Sequence, residues 1–248
     1  MSTESFLRAF HARRPGFTAQ AFARGGSYAR LAERLGSRAR VLDLACGDGA
    51  LLAHLGAGAV GIDVSTDELR NVARAAQARA QALPFADHAF DAIACHLAFM
   101  LFDDVPQVVA ELERVLVPRG EFLAVLGGGP TAEGPEAPEK ADAFHHFLEI
   151  LDRLPRHSPR FGDPRARSEA GWGALMPGWT IEPFERWQLD LGGPFDEVWD
   201  FLGSNYEVDP DRAEAIRAEL HARCGDRVAC NAVVYLARAS TPDRADRP

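Results

Sequence analysis

The sequence has no excess of basic residues, and lysine is nearly absent from it. Its 248 residues contain 27 Lys and Arg against 36 Asp and Glu, a formal net charge of -9, and Lys140 is the only lysine. A surface that neutralises nucleic-acid phosphates normally shows clustered Lys and Arg in excess. The charge balance therefore argues against nucleic acid as a partner.

Long apolar runs are also absent. The sequence has no run of about 18 apolar residues, as a membrane span would require, and residues 1–14 lack an uninterrupted apolar stretch of signal-peptide length. We therefore expect a cytoplasmic protein that contacts no membrane.

Cysteine is scarce, and its spacing points to no site. The cysteines are Cys46, Cys95, Cys224 and Cys230. They lack the paired CxxC spacing of zinc sites and are too few to stabilise a domain of this size through disulfides. We expect free thiols and no bound metal.

Apolar residues make up 47% of the chain, enough for the core of one α/β domain with a small cap. Short apolar runs followed by turn residues predict buried parallel strands at residues 40–44, 59–63, 90–95 and 121–126. Helical patterns lie between them, most clearly at residues 104–116. This alternation predicts a doubly wound, Rossmann-like, mostly parallel sheet that binds ligands beyond the carboxyl ends of its strands.

The flanking regions predict a helical cover and cap around this sheet. Residues 1–37 read as one or two helices broken at Pro15-Gly16, residues 38–126 as the sheet half, and residues 127–239 as the cap and C-terminal strands. Within the last part we predict a mobile loop at 127–139, helices at 141–154, 195–202 and 210–223, a strand at 179–191 and an antiparallel strand at 230–237. Residues 240–248 are predicted to be a disordered tail.

Residues 41–52 read as an apolar strand, a glycine-containing turn and the start of a helix. Gly47 and Gly49 allow a sharp turn and a close approach of a ligand to the backbone. About twenty residues after Asp43, the second strand ends at Asp63, whose carboxylate can accept hydrogen bonds from both hydroxyls of an adenosine ribose. Asp48 between the glycines, and the lack of a third glycine in register, disfavour a dinucleotide pyrophosphate.

Four segments in this order resemble motifs of class I S-adenosylmethionine (SAM)-dependent methyltransferases, of the small-molecule branch similar to ubiquinone-biosynthesis methyltransferases. They are residues 43–49, 61–65, 83–95 and 112–120. Four motifs with the correct spacing are far more specific than one glycine loop. The resemblance covers residues 38–126 and implies a SAM-dependent transferase.

The resemblance also implies roles for individual residues. Asp43, Ala45 and Gly47 would line the methionine end of SAM with Gly49 in the same turn, Asp63 would hold the ribose, Val64 would pack on the adenine, and His96 would touch the methionyl part. The family usually has an acid where this chain has Arg79, so adenine recognition would use Ala80 or Gln81. Tyr28, Arg13 and Arg14 are candidates for gripping the SAM carboxylate and ammonium.

The catalytic candidates are His96, His11 and Tyr206, because a base must take the proton from a hydroxyl or amine acceptor. His145 and His146 are candidates too, although adjacent histidines on an amphipathic helix more often lie at the surface. We expect most of Trp172, Trp179, Trp187 and Trp199 to pack in the core or cap, and one or two to line the acceptor pocket.

The sequence is compatible with three functions. The first is a methyltransferase acting on a small molecule, plausibly in specialised metabolism, as a monomer or homodimer. The second is a SAM-cyclising enzyme resembling azetidine-2-carboxylate synthases, in which the SAM amino group displaces methylthioadenosine. The third is a SAM-binding protein without catalysis.

Overall fold

The computed structural model describes residues 3–12, 16–127, 142–155, 161–204 and 208–243. Its strands are β1 (Val41–Leu44), β2 (Val60–Asp63), β3 (Ala75–Gln77), β4 (Phe90–His96), β5 (Leu116–Gly127), β6 (Thr180–Ile181), β7 (Glu185–Asp190), β8 (Gly193–Pro194), β9 (Arg227–Val228) and β10 (Asn231–Ser240). Its helices are α1 (Thr3–His11), α2 (Phe17–Arg24), α3 (Ser27–Leu35), α4 (Val105–Val115), α5 (Ala143–Leu151), α6 (Glu169–Leu175), α7 (Phe195–Leu202) and α8 (Ala213–Cys224).

One sheet organises the fold, with the strand order β3-β2-β1-β4-β5-β10-β6 and with β7 also paired to β10. The pairs from β3 to β5 are parallel, whereas β10 runs antiparallel to β5, β6 and β7. The predicted Rossmann-like class, mostly parallel with an antiparallel C-terminal strand, is confirmed. Because β1, β2 and β4 point the same way, the loops that follow them meet at one edge of the sheet.

Both faces of the sheet are covered by helices. Buried side chains of α3, α5, α7 and α8 pack on one face, and those of α4 and α6 pack on the other. Trp172 stacks on Phe122 with ring centroids 5.4 Å apart, and Trp172 and Trp187 are fully buried. The prediction that most tryptophans pack in the core is confirmed.

The crossovers after β1 and β2 contain less helix than predicted. The prediction of an α-helix after the glycine turn is wrong, because that connection holds only the 3-10 helix Leu52–His54. Few residues separate Gly49 from β2, and Gly58 among them approaches the Ala39 carbonyl so closely that a Cβ would collide with it. The second crossover likewise holds only the 3-10 helix Glu68–Asn71, and the short β3 escaped prediction because Ala-Ala-Gln is no apolar run.

Other boundaries also differ from the predictions. The N-terminal cover has three helices, because Gly26 takes φ 71° and adds a break between α2 and α3. Pro183 lies between β6 and β7, so the strand predicted at 179–191 is two strands. The helix predicted at 210–223 begins with a 3-10 turn, Pro210–Arg212, before α8.

The predicted start of the disordered tail, residue 240, lies too early in the chain. Ser240 still pairs with Glu121 of β5, and Thr241 is buried and donates its hydroxyl to the Val117 carbonyl at 2.9 Å. Most of the loop predicted at 127–139 lies outside the described residues, as do residues 244–248.

All four cysteines are free, as predicted. Within the described ranges, no helix is both long enough and apolar enough to cross a membrane.

Candidate functional site

A cavity of about 480 Å³ lies where the loops after β1, β2 and β4 meet. Residues of α1, α3, α5 and α7 complete its wall. Ligand sites typically have volumes of about 300–1,000 Å³. The cavity therefore lies where a doubly wound sheet binds ligands, and its size suits a small molecule.

The turn after β1 has an unusual backbone. Ala45, Gly47 and Gly49 take φ values of 60°, 52° and 83°, in the left-handed region. A Cβ at Gly49 would lie 2.9 Å from Val72, whereas a Cβ at Gly47 would meet no atom within 4 Å. The Cys46 amide fixes the turn by donating to the Ile62 carbonyl at 2.9 Å. Ala45 bears a conformational cost of about 1–2 kcal/mol that glycine would avoid.

Asp63 links the ends of β1 and β2. Its Oδ2 accepts from the Gly47 amide at 2.9 Å, and its Oδ1 accepts from the Ser65 amide at 2.8 Å. Two backbone donors thus fix the orientation of the carboxylate. Each oxygen keeps further accepting capacity toward the cavity, because a carboxylate offers about four lone-pair positions.

Asp43 is the most buried acid of the site. It is 1% exposed, and its Oδ2 has no hydrogen-bond partner among the described residues. Burial, with further contributions from Asp63 and Asp48, raises its pKa to about 8. A buried carboxylate without a partner is costly, and a bound cation or donor removes that cost.

Glu68 extends the acidic wall. Its Oε2 accepts from the Gly16 amide at 3.0 Å, so the start of α2 is joined to the loop after β2. Burial, opposed by that hydrogen bond and reinforced by Asp48 and Asp63, raises the pKa of Glu68 to about 7. Glu68 and Asp48 were not predicted as site residues. The sequence Ser65-Thr-Asp-Glu68 has the capping-box pattern that could have indicated the local turn.

His96 at the end of β4 is held by the N-terminal cover. Its Nε2 lies 2.8 Å from Ser27 Oγ, and the Tyr28 ring lies 4.2 Å from the imidazole centroid. Burial lowers the pKa of His96 to about 3, so the ring is neutral at ordinary pH. A neutral imidazole with so low a pKa is a poor proton acceptor and a suitable hydrogen-bonding group. The catalytic role of His96 stays a prediction, and its surroundings favour positioning.

Tyr28 packs against His96, and both residues line the cavity. Tyr28 is buried. Burial, with a contribution from Asp48, raises its pKa, so the phenol keeps its proton. The predicted contact of Tyr28 with a ligand agrees with this position.

The predicted adenine-binding residues line the same cavity. They are Val64, Ala80 and Gln81. The Gln81 side-chain amide donates to the Asp103 carbonyl at 2.6 Å, which leaves its carbonyl oxygen and the Ala80 backbone for a ligand. Arg79 pairs with Glu4 of α1 at 2.9 Å, so the unusual arginine holds the N-terminal helix over this end of the cavity.

Other candidates are not brought to the site. His145 and His146 lie 3.3 and 3.5 Å from Glu149 on α5, and neither lines the cavity. The prediction that one or two tryptophans line the acceptor pocket is wrong for this cavity, because its described lining contains no tryptophan and includes Phe102, Phe144 and Phe201 instead.

Some of the predicted residues cannot be placed. Tyr206, Arg13 and Arg14 lie outside the described residues, and so does the side chain of His11 at the end of α1.

Comparison with known proteins bears on this cavity directly. Residues 42–124, which carry β1 to most of β5, match the family model described as a methyltransferase domain. These residues form a class I methyltransferase domain. This confirms the family resemblance given by the four motifs and the predicted cofactor, SAM.

Curated relatives match over less than half of the chain. A demethylmenaquinone methyltransferase of Thermus thermophilus is 40% identical over 110 residues, 38% of this chain and 50% of the relative. The uncharacterised methyltransferase YcgJ of Bacillus subtilis is 32% identical over 120 residues, 46% of this chain and 41% of the relative. The chain thus spans half or less of these relatives.

The crystal structure of YcgJ aligns with 88% of this chain and 99% of its own, with a TM-score of 0.59 and 21% identity. At that identity the alignment demonstrates a shared fold. Since 88% of the chain is aligned, the resemblance in fold extends beyond residues 42–124.

The residues present fit SAM. The unpartnered Asp43 carboxylate and the neighbouring acids suit a molecule that carries a sulfonium and an ammonium. The open Cβ position of Gly47 leaves room against the backbone, and Asp63 presents an oriented acceptor. The site therefore combines charge complementarity for the methionine end with a hydrogen-bond acceptor for a ribose.

Proposed function

We propose that this protein transfers the methyl group of SAM to a small-molecule acceptor bound in the same cavity, plausibly in specialised metabolism. The observation that carries the proposal is the union, in one cavity, of the oriented Asp63, the unpartnered Asp43 and an apolar wall from the cap. The first two suit the cofactor, and the wall suits a second molecule.

The acceptor side of the cavity is built from residues outside the methyltransferase domain. Phe144 of α5 and Phe201 and Leu202 of α7 line it, and Phe144 and Phe201 contact each other edge to face at 6.1 Å. Apolar and aromatic side chains bind an apolar or aromatic body through buried area. This composition supports a small organic acceptor with an apolar portion.

The chain contributes mainly binding and alignment to the reaction. When bound, SAM supplies an electrophilic methyl group on its sulfonium. Asp43 and the turn at Gly47 would hold the methionine end, Asp63 would hold the ribose, and Tyr28 would exclude water beside them. Holding two reactants in line lowers the barrier by replacing an encounter in solution.

Proton removal depends on the acceptor. His96 is neutral but, with a pKa of about 3, accepts protons weakly. Glu68, with a pKa of about 7, is the more suitable base among the described cavity residues. An acceptor that is already anionic needs no base.

SAM cyclisation remains a competing outcome. It requires the SAM amino group to lose its proton before it attacks, whereas the buried Asp43, with Asp63 and Asp48 close to it, would stabilise an ammonium. This electrostatic argument favours methyl transfer over cyclisation.

Product analysis tests the proposal. Purified protein is incubated with SAM alone and with SAM plus a panel of small aromatic acids, phenols and amines, and adenosine products are identified by mass spectrometry. Methyl transfer predicts S-adenosylhomocysteine that appears only with an acceptor. Methylthioadenosine from SAM alone would indicate cyclisation, and binding without either product would indicate a non-catalytic protein.

A further inference from the structure

Arg167 is a cavity residue that the binding of SAM leaves unused. It ends the 3-10 helix Pro164–Arg167 and lines the cavity. Among the described residues, it makes no hydrogen bond or ion pair. Arg165, two positions earlier, differs in this respect, because it donates to both carboxylate oxygens of Asp163, at 3.1 and 2.6 Å.

The backbone under Arg167 is firmly held. Ala166 is fully buried, and its carbonyl accepts the Trp172 indole N–H at 2.9 Å. Gly162 and Gly171 approach the carbonyls of Met100 and Arg165 so closely that a Cβ on either glycine would collide. The fixed backbone therefore places the base of the Arg167 side chain at one position on the cavity wall.

No carboxylate of the described residues balances the charge of Arg167. Partial desolvation lowers its pKa, and no acid in the described ranges offsets that effect. The acids of the cavity belong largely to the loops after β1 and β2, whereas Arg167 comes from the cap. Arg167 is exposed as a residue and lines the cavity. An arginine guanidinium binds planar oxyanions well, since it can donate two parallel hydrogen bonds to a carboxylate.

Building on the proposed methyl transfer, we propose that Arg167 binds the carboxylate, or a similar oxyanion, of the acceptor. The acceptor class is then an apolar or aromatic acid, with its body against Phe144 and Phe201 and its anionic group at Arg167. SAM also carries a carboxylate, which is the competing partner for the Arg167 guanidinium. The origin of Arg167 outside the methyltransferase domain favours the acceptor.

The test uses the full chain, the variant Arg167→Gln and the control Arg165→Gln, which removes a neighbouring arginine that does not line the cavity. Circular dichroism and thermal melting first establish that both variants fold. Calorimetry then measures binding of S-adenosylhomocysteine, and afterwards binding of benzoate and of the neutral benzamide to the saturated complex.

The proposal predicts that wild type and Arg165→Gln bind benzoate about tenfold or more tightly than benzamide, and that Arg167→Gln loses this preference while S-adenosylhomocysteine binding is unchanged. A retained preference in Arg167→Gln, or no preference in wild type, would overturn it. A tenfold loss of S-adenosylhomocysteine binding in Arg167→Gln would assign Arg167 to the cofactor instead. These measurements test binding only. Failure of the proposed methyl transfer is detected separately, as the absence of S-adenosylhomocysteine in the incubations with SAM and an acceptor.

Discussion

Replacing Asp63 with alanine tests the cofactor site at the residue with the best-defined geometry. The change removes the acceptor for two ribose hydroxyls and also the two hydrogen bonds that join the carboxylate to the Gly47 and Ser65 amides. A hydrogen bond to a charged group contributes about 1.5–3 kcal/mol. Asp63 is half-buried, so we take the lower part of that range for each ribose contact.

Two contacts then give a loss of about 3 kcal/mol, which corresponds to an increase of about 150-fold in the Kd for S-adenosylhomocysteine. Calorimetry on the purified chain measures this directly. Asp67→Ala is the matched control, because Asp67 lies in the same loop, pairs with Arg70 at 2.6 Å and does not line the cavity. If Asp63→Ala binds as tightly as Asp67→Ala, the placement of the ribose is refuted.

Three further outcomes follow from the contacts of the site. The folded-state pKa of Asp43, about 8, exceeds its unfolded value, so the unliganded protein should lose stability as pH rises from about 4 to 8. Asp43→Asn should remove part of this loss and raise the Tm at pH 8 by about 2–4 °C. Glu4→Gln breaks the pair with Arg79 and should raise the Kd for S-adenosylhomocysteine about two- to fivefold at low salt, with little difference from wild type at high salt, as measured by calorimetry. Ser27→Ala leaves His96 without its Nε2 partner and should lower the free energy of unfolding, measured in urea, by about 1–3 kcal/mol. An unchanged value would mean that this hydrogen bond does not hold the N-terminal helices in place.

The sheet half was predictable because its sequence patterns are local. The apolar runs of β1, β2, β4 and β5 each end in turn residues, and the spacing from Asp43 to Asp63 joins two loops that parallel strands bring together. The same pattern could not predict β3, whose Ala-Ala-Gln depends on pairing with β2. Nor did it reveal that the first crossover holds only a 3-10 turn, or that Gly58 packs closely on Ala39, since that approach is a tertiary contact.

The acceptor side was less predictable because it depends on contacts between distant segments. The aromatic wall comes from Phe144 and Phe201, which are far apart in the chain and carry no motif. Size alone favours the tryptophans as lining residues, but Trp172 and Trp187 are fully buried in the core. Arg167 stands out only in the structure, where no acid of the described residues pairs with it, while Arg165, two positions earlier, pairs with Asp163.

The roles of individual site residues depended on their neighbours in the same way. His96 is the last residue of β4, close to where the family resemblance implies, but its low pKa arises from burial beside Ser27 and Tyr28 of α3. From the sequence alone, Arg79 means only that the acid that usually binds adenine in this family is missing. The structure instead pairs it with Glu4, so the substitution gives the N-terminal helix a partner at the adenine end.

The central claim is that the loops after β1 and β2 hold SAM by Asp43 and Asp63. A crystal structure of the protein with S-adenosylhomocysteine tests it most directly. The account predicts both ribose hydroxyls at hydrogen-bond distance, about 2.6–3.2 Å, from the Asp63 carboxylate, and the amino group of the ligand close to the buried Asp43. A ligand bound elsewhere, or with its ribose turned away from Asp63, would contradict it.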